Sequence, residues 1–262
     1  NSYINQNTAS MNGGGLANDG NIDKLDGFNS FDGNQAQING GGLYNGGYID
    51  KVENTNFSNN AALTGSGGGL YNGANAFINY LDSSGFYSNM AALLGGGLAN
   101  LGTVTNLFDV IFGTNHAANG GAMYNGNLIT FMYNANIYGN TATENGGGIY
   151  NDGTMQTISN STITDNHAEY LGGGIYIAPM ALIGNPTDSG IAINGFNPGF
   201  GAVQYGFNLP TSGITGSIIT QNSANSGGGI YIAQDGHLTM IQSSELSHNI
   251  STGAGGALVV NG

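Results

Sequence analysis

The chain has 262 residues, 15 acidic residues against only two lysines and no arginine, a formal net charge of −13, and no cysteine. Without thiols there is neither a disulfide framework nor a thiolate metal site. Two cations cannot neutralise a phosphate backbone or bind an anionic membrane surface, and no apolar run reaches the ~18 residues of a membrane span, so nucleic-acid partners and a membrane span in this segment are excluded.

Along the chain, 49 glycines gather in related blocks. They begin at Gly13 (GGGLAN), Gly40 (GGGLYN), Gly67 (GGGLYN), Gly95 (GGGLAN), Gly120 (GGAMYN), Gly146 (GGGIYN), Gly172 (GGGIYI), Gly227 (GGGIYI) and Gly255 (GGALVV). Successive starts differ by 27, 27, 28, 25, 26, 26, 55 and 28 residues, a period of about 27 with one interval interrupted. Such a period marks a solenoid, propeller or array.

A second motif runs in phase, with an apolar residue three positions before an asparagine. The asparagines are Asn7, Asn34, Asn60, Asn89, Asn115, Asn140, Asn166, Asn222 and Asn249, each five to seven residues ahead of its glycine block. An alanine follows each by two positions, except that Ser251 follows Asn249. A disordered low-complexity coil has no reason to keep apolar residues in this register.

Glycine, asparagine, serine and threonine interrupt every window long enough for a helix. What remains are short runs of β-formers such as NLITFMY (Asn127 to Tyr133) and TISNSTIT (Thr157 to Thr164), bounded by turn residues. Three such segments per repeat predict an all-β fold: a single-stranded, right-handed parallel β-helix solenoid of about nine coils, one domain over 1–262. A single coil cannot offset its own ordering entropy, so stacked neighbours must hold it. The glycines are expected to alternate in and out along a wall before the inward Leu43, Leu70, Leu98, Met123, Ile149, Ile175, Ile230 and Leu258, with at least one per block at positive φ. The asparagines are expected to stack as an amide ladder, a structural role.

The long interval places an insertion at 184–211, carrying Phe196, Phe200, Tyr205 and Phe207. Insertions in repeat proteins become loops on one face, often the binding face; a flap covering the coil is the other reading. The residue after each inward aliphatic gives an outward column, Tyr44, Tyr71, Tyr124, Tyr150, Tyr176 and Tyr231, interrupted by Ala99. Stacked aromatics stabilise a sheet face by themselves, and they also offer a stripe for glycan or for another solenoid.

The pairing of GGAM (Gly120), GGAL (Gly255), GGGL and GGGI with Phe31-x-x-Asn34, Phe57-x-x-Asn60, Phe86-x-x-Asn89 and Phe112-x-x-Asn115 resembles the repeats of polymorphic outer membrane proteins, the chlamydial-type autotransporter adhesins. That resemblance implies a secreted β-helical passenger with adhesive or self-associating roles. The C-terminal barrel of such proteins is missing from this sequence.

Parallel β-helices also include pectin lyases and polygalacturonases. A lyase of that sort needs a basic residue at the uronate, which the scarcity of cations argues against. Asp19, Asp23, Asp26 and Asp32 offer carboxylates for a hydrolase but fall where turns are expected, and their spacing matches no calcium loop. The histidines 116, 167, 237 and 248 are isolated, and no position holds the regular threonine array of an ice-binding face. No catalytic residue, metal or cofactor is therefore assigned, and the protein is not expected to be an enzyme. The chain starts in mid-repeat without methionine, which reads as a trimmed part of something longer, and neither terminus shows a charged cap. The expectation is an extracellular or cell-surface structural protein that stacks head to tail into filaments or matrix, its partner being itself. The alternatives are an adhesin segment binding glycan or a surface receptor and, third, a polysaccharide-degrading enzyme.

Overall fold

The computed structural model describes residues 2–185 and 212–261. It is a parallel β-solenoid of about nine turns, with no helix among the described residues. Each coil runs through four strands instead of the expected three. In the fifth coil these are Ile111–Gly113, His116–Ala117, Met123–Asn125 and Leu128–Tyr133, which we call the first to fourth walls. The wall missed at sequence level is the second, whose strands are two residues long, too short to carry an alternation pattern.

The first three walls are nine-stranded sheets in which each strand pairs in parallel with its copy one coil away. Phe57 lies beside Phe31 and Phe86, and Ile149 lies beside Met123 and Ile175. Like residues therefore pile into columns. Phe31, Phe57, Phe86 and Phe112 stack ring on ring at 4.7–4.9 Å in the first wall, all fully buried. Ile137, Ile163 and Ile219 continue the column. The fourth wall is the widest: its six-residue strands turn their second and fifth residues inward, as with Ile78 and Leu81. In the seventh coil this wall is split into Leu182–Ile183 and Gly213–Thr215. The predicted insertion opens between those two pieces; apart from Gly184 and Asn185 it lies outside the described residues, as do Phe196, Phe200, Tyr205 and Phe207.

The glycine blocks form a corner between the second and third walls and precede the third-wall strands, which begin only at the aliphatic residue. The expected in-and-out alternation is thus replaced by three separate roles. The first glycine of every block has a positive φ, 55–69°. The second packs against backbone of the next coil: a β-carbon on Gly41 would lie 2.5 Å from the Ala61 nitrogen. The third makes room for a core side chain: a β-carbon on Gly69 would lie 2.9 Å from Phe86 Cδ1. Glycine is required at the first position for its dihedral and at the second for close approach, whereas two blocks carry alanine at the third, Ala122 and Ala257.

Two further corners use left-handed residues that are mostly not glycine. The residue before every ladder asparagine has positive φ, from Gln6 through Asn59, Ser88 and Thr114 to His248. So does the residue joining the fourth wall to the first, as at Asn54, Asp109 and Asn160. Asn and Asp tolerate this region best.

Candidate functional site: ladders, aromatic faces and open coil ends

The nine predicted asparagines form one continuous ladder at the corner between first and second walls. Each side-chain amide donates to the Oδ1 of the next at 2.9–3.0 Å, from Asn7 to Asn249. The backbone N–H donates to the same Oδ1. From Asn34 onward, the second amide hydrogen goes to a first-wall carbonyl one coil back, as from Asn115 to Phe86. A buried amide satisfied on all sides costs little to bury and fixes the stacking register.

This ladder has a direction. Every amide-to-Oδ1 link and every backbone N–H to Oδ1 link runs toward the C-terminal coil, from Asn7 through to Asn249.

A second ladder went unread in the sequence because its asparagines sit inside the glycine blocks. Asn18, Asn45, Asn72, Asn100, Asn125 and Asn151 are linked amide to Oδ1 at 2.7–2.9 Å. It ends where Asn151 meets Ile177, and Ile232 and Val260 continue the position. The change from GGGIYN to GGGIYI was the available signal.

The tyrosine column is assembled on the third wall, but its rings occupy each other's faces. Tyr44 and Tyr71 stack at 5.5 Å, and Tyr124, Tyr150, Tyr176 and Tyr231 follow at 4.7–5.7 Å, with buried Ala99 separating the two runs. The column is half-buried, not fully outward: Tyr124 is 9% and Tyr176 8% exposed. Burial raises the phenol pKa of Tyr124 and Tyr150; the Asp152 carboxylate, which accepts from the Tyr124 hydroxyl at 2.7 Å, adds to the rise at Tyr124. A sugar stacks on an open ring face, and within these runs the faces are taken.

The fourth wall carries a second aromatic set that the sequence reading did not assemble. Tyr48 and Phe77 stack at 5.6 Å, and Phe108 meets Tyr133 edge to face at 6.3 Å. Beside them in the early coils both lysines are held in a carboxylate chain: Lys24 bridges Asp26 and Glu53, and Lys51 bridges Glu53 and Asp82. Hydrogen bonding to Lys24 lowers the Asp26 pKa, and hydrogen bonding to Lys51 lowers that of Glu53.

The predicted carboxylates are dispersed: Asp26 pairs with Lys24, and Asp32 accepts from the Asn59 amide. Among the described residues no group of three or more His, Asp or Glu side chains is placed to hold a metal. His116 and His167 lie on the second wall two coils apart, with Thr141 between them. His167 Nδ1 is 2.9 Å from Ser223 Oγ.

The coil ends differ from the body. Core columns that are fully buried inside become partly exposed at Ile4, Leu16, Ile22 and Leu25, and again at Leu238, Ile241 and Leu246. Leu258 is 37% exposed and Val260 64%. No known protein family, curated protein or solved structure matches the chain.

Proposed function

We propose that this chain is a structural β-solenoid that associates with itself through its coil ends into filaments or matrix. The single observation carrying this reading is the in-register stack itself, in which like residues of successive coils form continuous buried columns beside an asparagine ladder that runs one way from Asn7 to Asn249. A solenoid repeat is stable only when neighbours above and below share its core, so a coil without a neighbour is the place of greatest gain on association. The net charge of −13 opposes unspecific clumping between the flanks of such rods. An extracellular or surface setting is part of the proposal and rests on the motif resemblance.

The test is sedimentation velocity with electron microscopy of the purified 262-residue chain over a concentration series. Nine coils at about 4.8 Å each make a rod roughly 43 Å long. The expected result is rods in multiples of that length that grow with concentration. A single monomeric species at every concentration overturns the proposal. The glycan-binding alternative is less favoured because the tyrosine rings stack on one another.

A further inference from the structure

Resting on that self-association and deepening it, we infer that the second wall of the second to fourth coils is a face on which two copies of this chain pack side by side, each apolar patch against its twin.

The first observation is where large apolar side chains stand in solvent. Ile38, Leu63, Met90 and Leu93 are 37%, 39%, 46% and 51% exposed. They adjoin on one flank: Met90 pairs with Ala61 across the sheet, while Ile38, Leu63, Ala92 and Leu93 each donate a backbone N–H to the coil before. Coils lie on both sides of these residues, so their exposure belongs to the body of the rod. Inward, the same wall gives the core only alanine, with Ala36, Ala62 and Ala91 buried. Single exposed apolar residues need no explanation, whereas adjoining ones mark an interaction face.

The second observation is charge. Residues 6–12, 33–39, 59–66, 88–94 and 114–119, which make the second wall and its corners in five successive coils, hold no Asp, Glu or Lys. The eight acidic residues and both lysines among residues 1–119 all lie on other walls and corners. From the sixth coil on, Glu144 and Glu169 follow the second-wall strands and close the neutral zone. Two copies that each carry −13 repel wherever acidic walls meet. On this flank they approach without like charges opposite one another. The third wall is nearly as neutral, but its tyrosines cover one another.

The third observation is pitch, and it selects a second copy as the occupant. Rows on this flank repeat with the coil rise of about 5 Å. Another copy offers rows of the same pitch, so side chains interdigitate along the whole face, as in aligned sheet packing. A partner without that period matches at one row only. Contact across these neutral coils covers on the order of 1,000 Å² in total, near the lower bound for a specific interface, with the large apolar side chains at its centre. The pairing is therefore weak and depends on concentration.

The test is sedimentation velocity of the purified chain over a concentration series at low and high salt, with the rod cross-section measured by small-angle X-ray scattering. The expected species is a pair two rods wide that tightens as salt rises, because salt screens the remaining repulsion between acidic walls. Leu93→Glu sets two carboxylates into the apolar contact and should weaken pairing at least about tenfold, and Met90→Glu should do the same one row away. Ile218→Glu, at a first-wall position 41% exposed, should leave pairing unchanged. Side-by-side pairs that survive Leu93→Glu and Met90→Glu, or rods that only lengthen at single width, overturn the inference and leave self-association standing. Pairs that never lengthen support it while removing the contact through coil ends. Monomers at every concentration in high salt remove both.

Discussion

Gly97 and Phe112, fifteen residues apart, are in contact in a way that forbids a side chain at the first: a β-carbon on Gly97 would stand 2.8 Å from Phe112 Cδ1. The same pairing joins Gly42 to Phe57 and Gly69 to Phe86. One coil further on, the corresponding core residue is Ile137 and the corresponding corner residue is Ala122, which is fully buried. Ala122 donates to the Gly148 carbonyl as the glycines do in their own ladder, so the corner accepts a methyl when the ring is absent.

Gly97→Ala is therefore expected to destabilise the fold by about 1–3 kcal/mol through overpacking. Combining it with Phe112→Ile should cost less than the sum of the two single changes. Urea unfolding of the four-member cycle measures this coupling; strict additivity would refute the contact as the cause.

Asn115 donates to Asn140 Oδ1 and to the Phe86 carbonyl, and accepts from Asn89. Asn115→Ala leaves these partners unsatisfied in the interior, and the expected loss is at least about 3 kcal/mol. Asn115→Asp should lose more as pH rises. Burial raises the carboxyl pKa in the folded state, so stability is fullest below the ordinary value near ~4 and falls between it and the raised one. A stability curve that is flat with pH for this variant would contradict the ladder geometry.

Tyr124 and Tyr150 resist ionisation because burial favours the neutral phenol. Their contribution is fully present below the ordinary tyrosine pKa of about 10 and is lost as pH rises from there toward their raised values. Ultraviolet titration should show phenols ionising above the ordinary range, accompanied by alkaline loss of the fold. Tyr150→Ala, which removes stacking on both Tyr124 and Tyr176, should cost about 1–3 kcal/mol.

The lysine network gives the opposite sign at low pH. Asp26 and Glu53 have lowered pKa values and Lys24 and Lys51 raised ones. The carboxylate contribution is present above their ordinary range near ~4 and is lost as pH falls through the lowered values, while the lysine part is lost only as pH rises through the raised ones. The groups are solvent-accessible, so salt should screen the effect. Comparing wild type with Lys51→Met at low and high ionic strength between neutral and acid pH measures it; a difference untouched by salt would count against the pairing.

Thr114 holds a φ of 56° at a corner where the preceding coils carry Asn59 and Ser88. A β-branched residue is poorly suited to that region. Thr114→Asn should stabilise the chain by about 0.5–1 kcal/mol despite losing the hydroxyl contact to Ser88. Calorimetric melting checks the sign, and a lower melting temperature would show that the contact outweighs the strain.

The sequence by itself determined the repeat length, the coil number, the inward aliphatic column after the glycine blocks and the first asparagine ladder. In a parallel stack each residue sits against its own copy one coil away, so column identity can be read along a single line of text. Only the tertiary structure decided the four walls, because a two-residue strand such as Ala61–Ala62 and corners filled by Gln6, Ser88 or Thr114 share a backbone conformation and no common side chain. It also decided which way each glycine faces, that the tyrosines cover one another, and that Lys24 and Lys51 join one carboxylate chain. Those outcomes depend on distances across corners and between neighbouring columns, which a residue's place in the period does not encode.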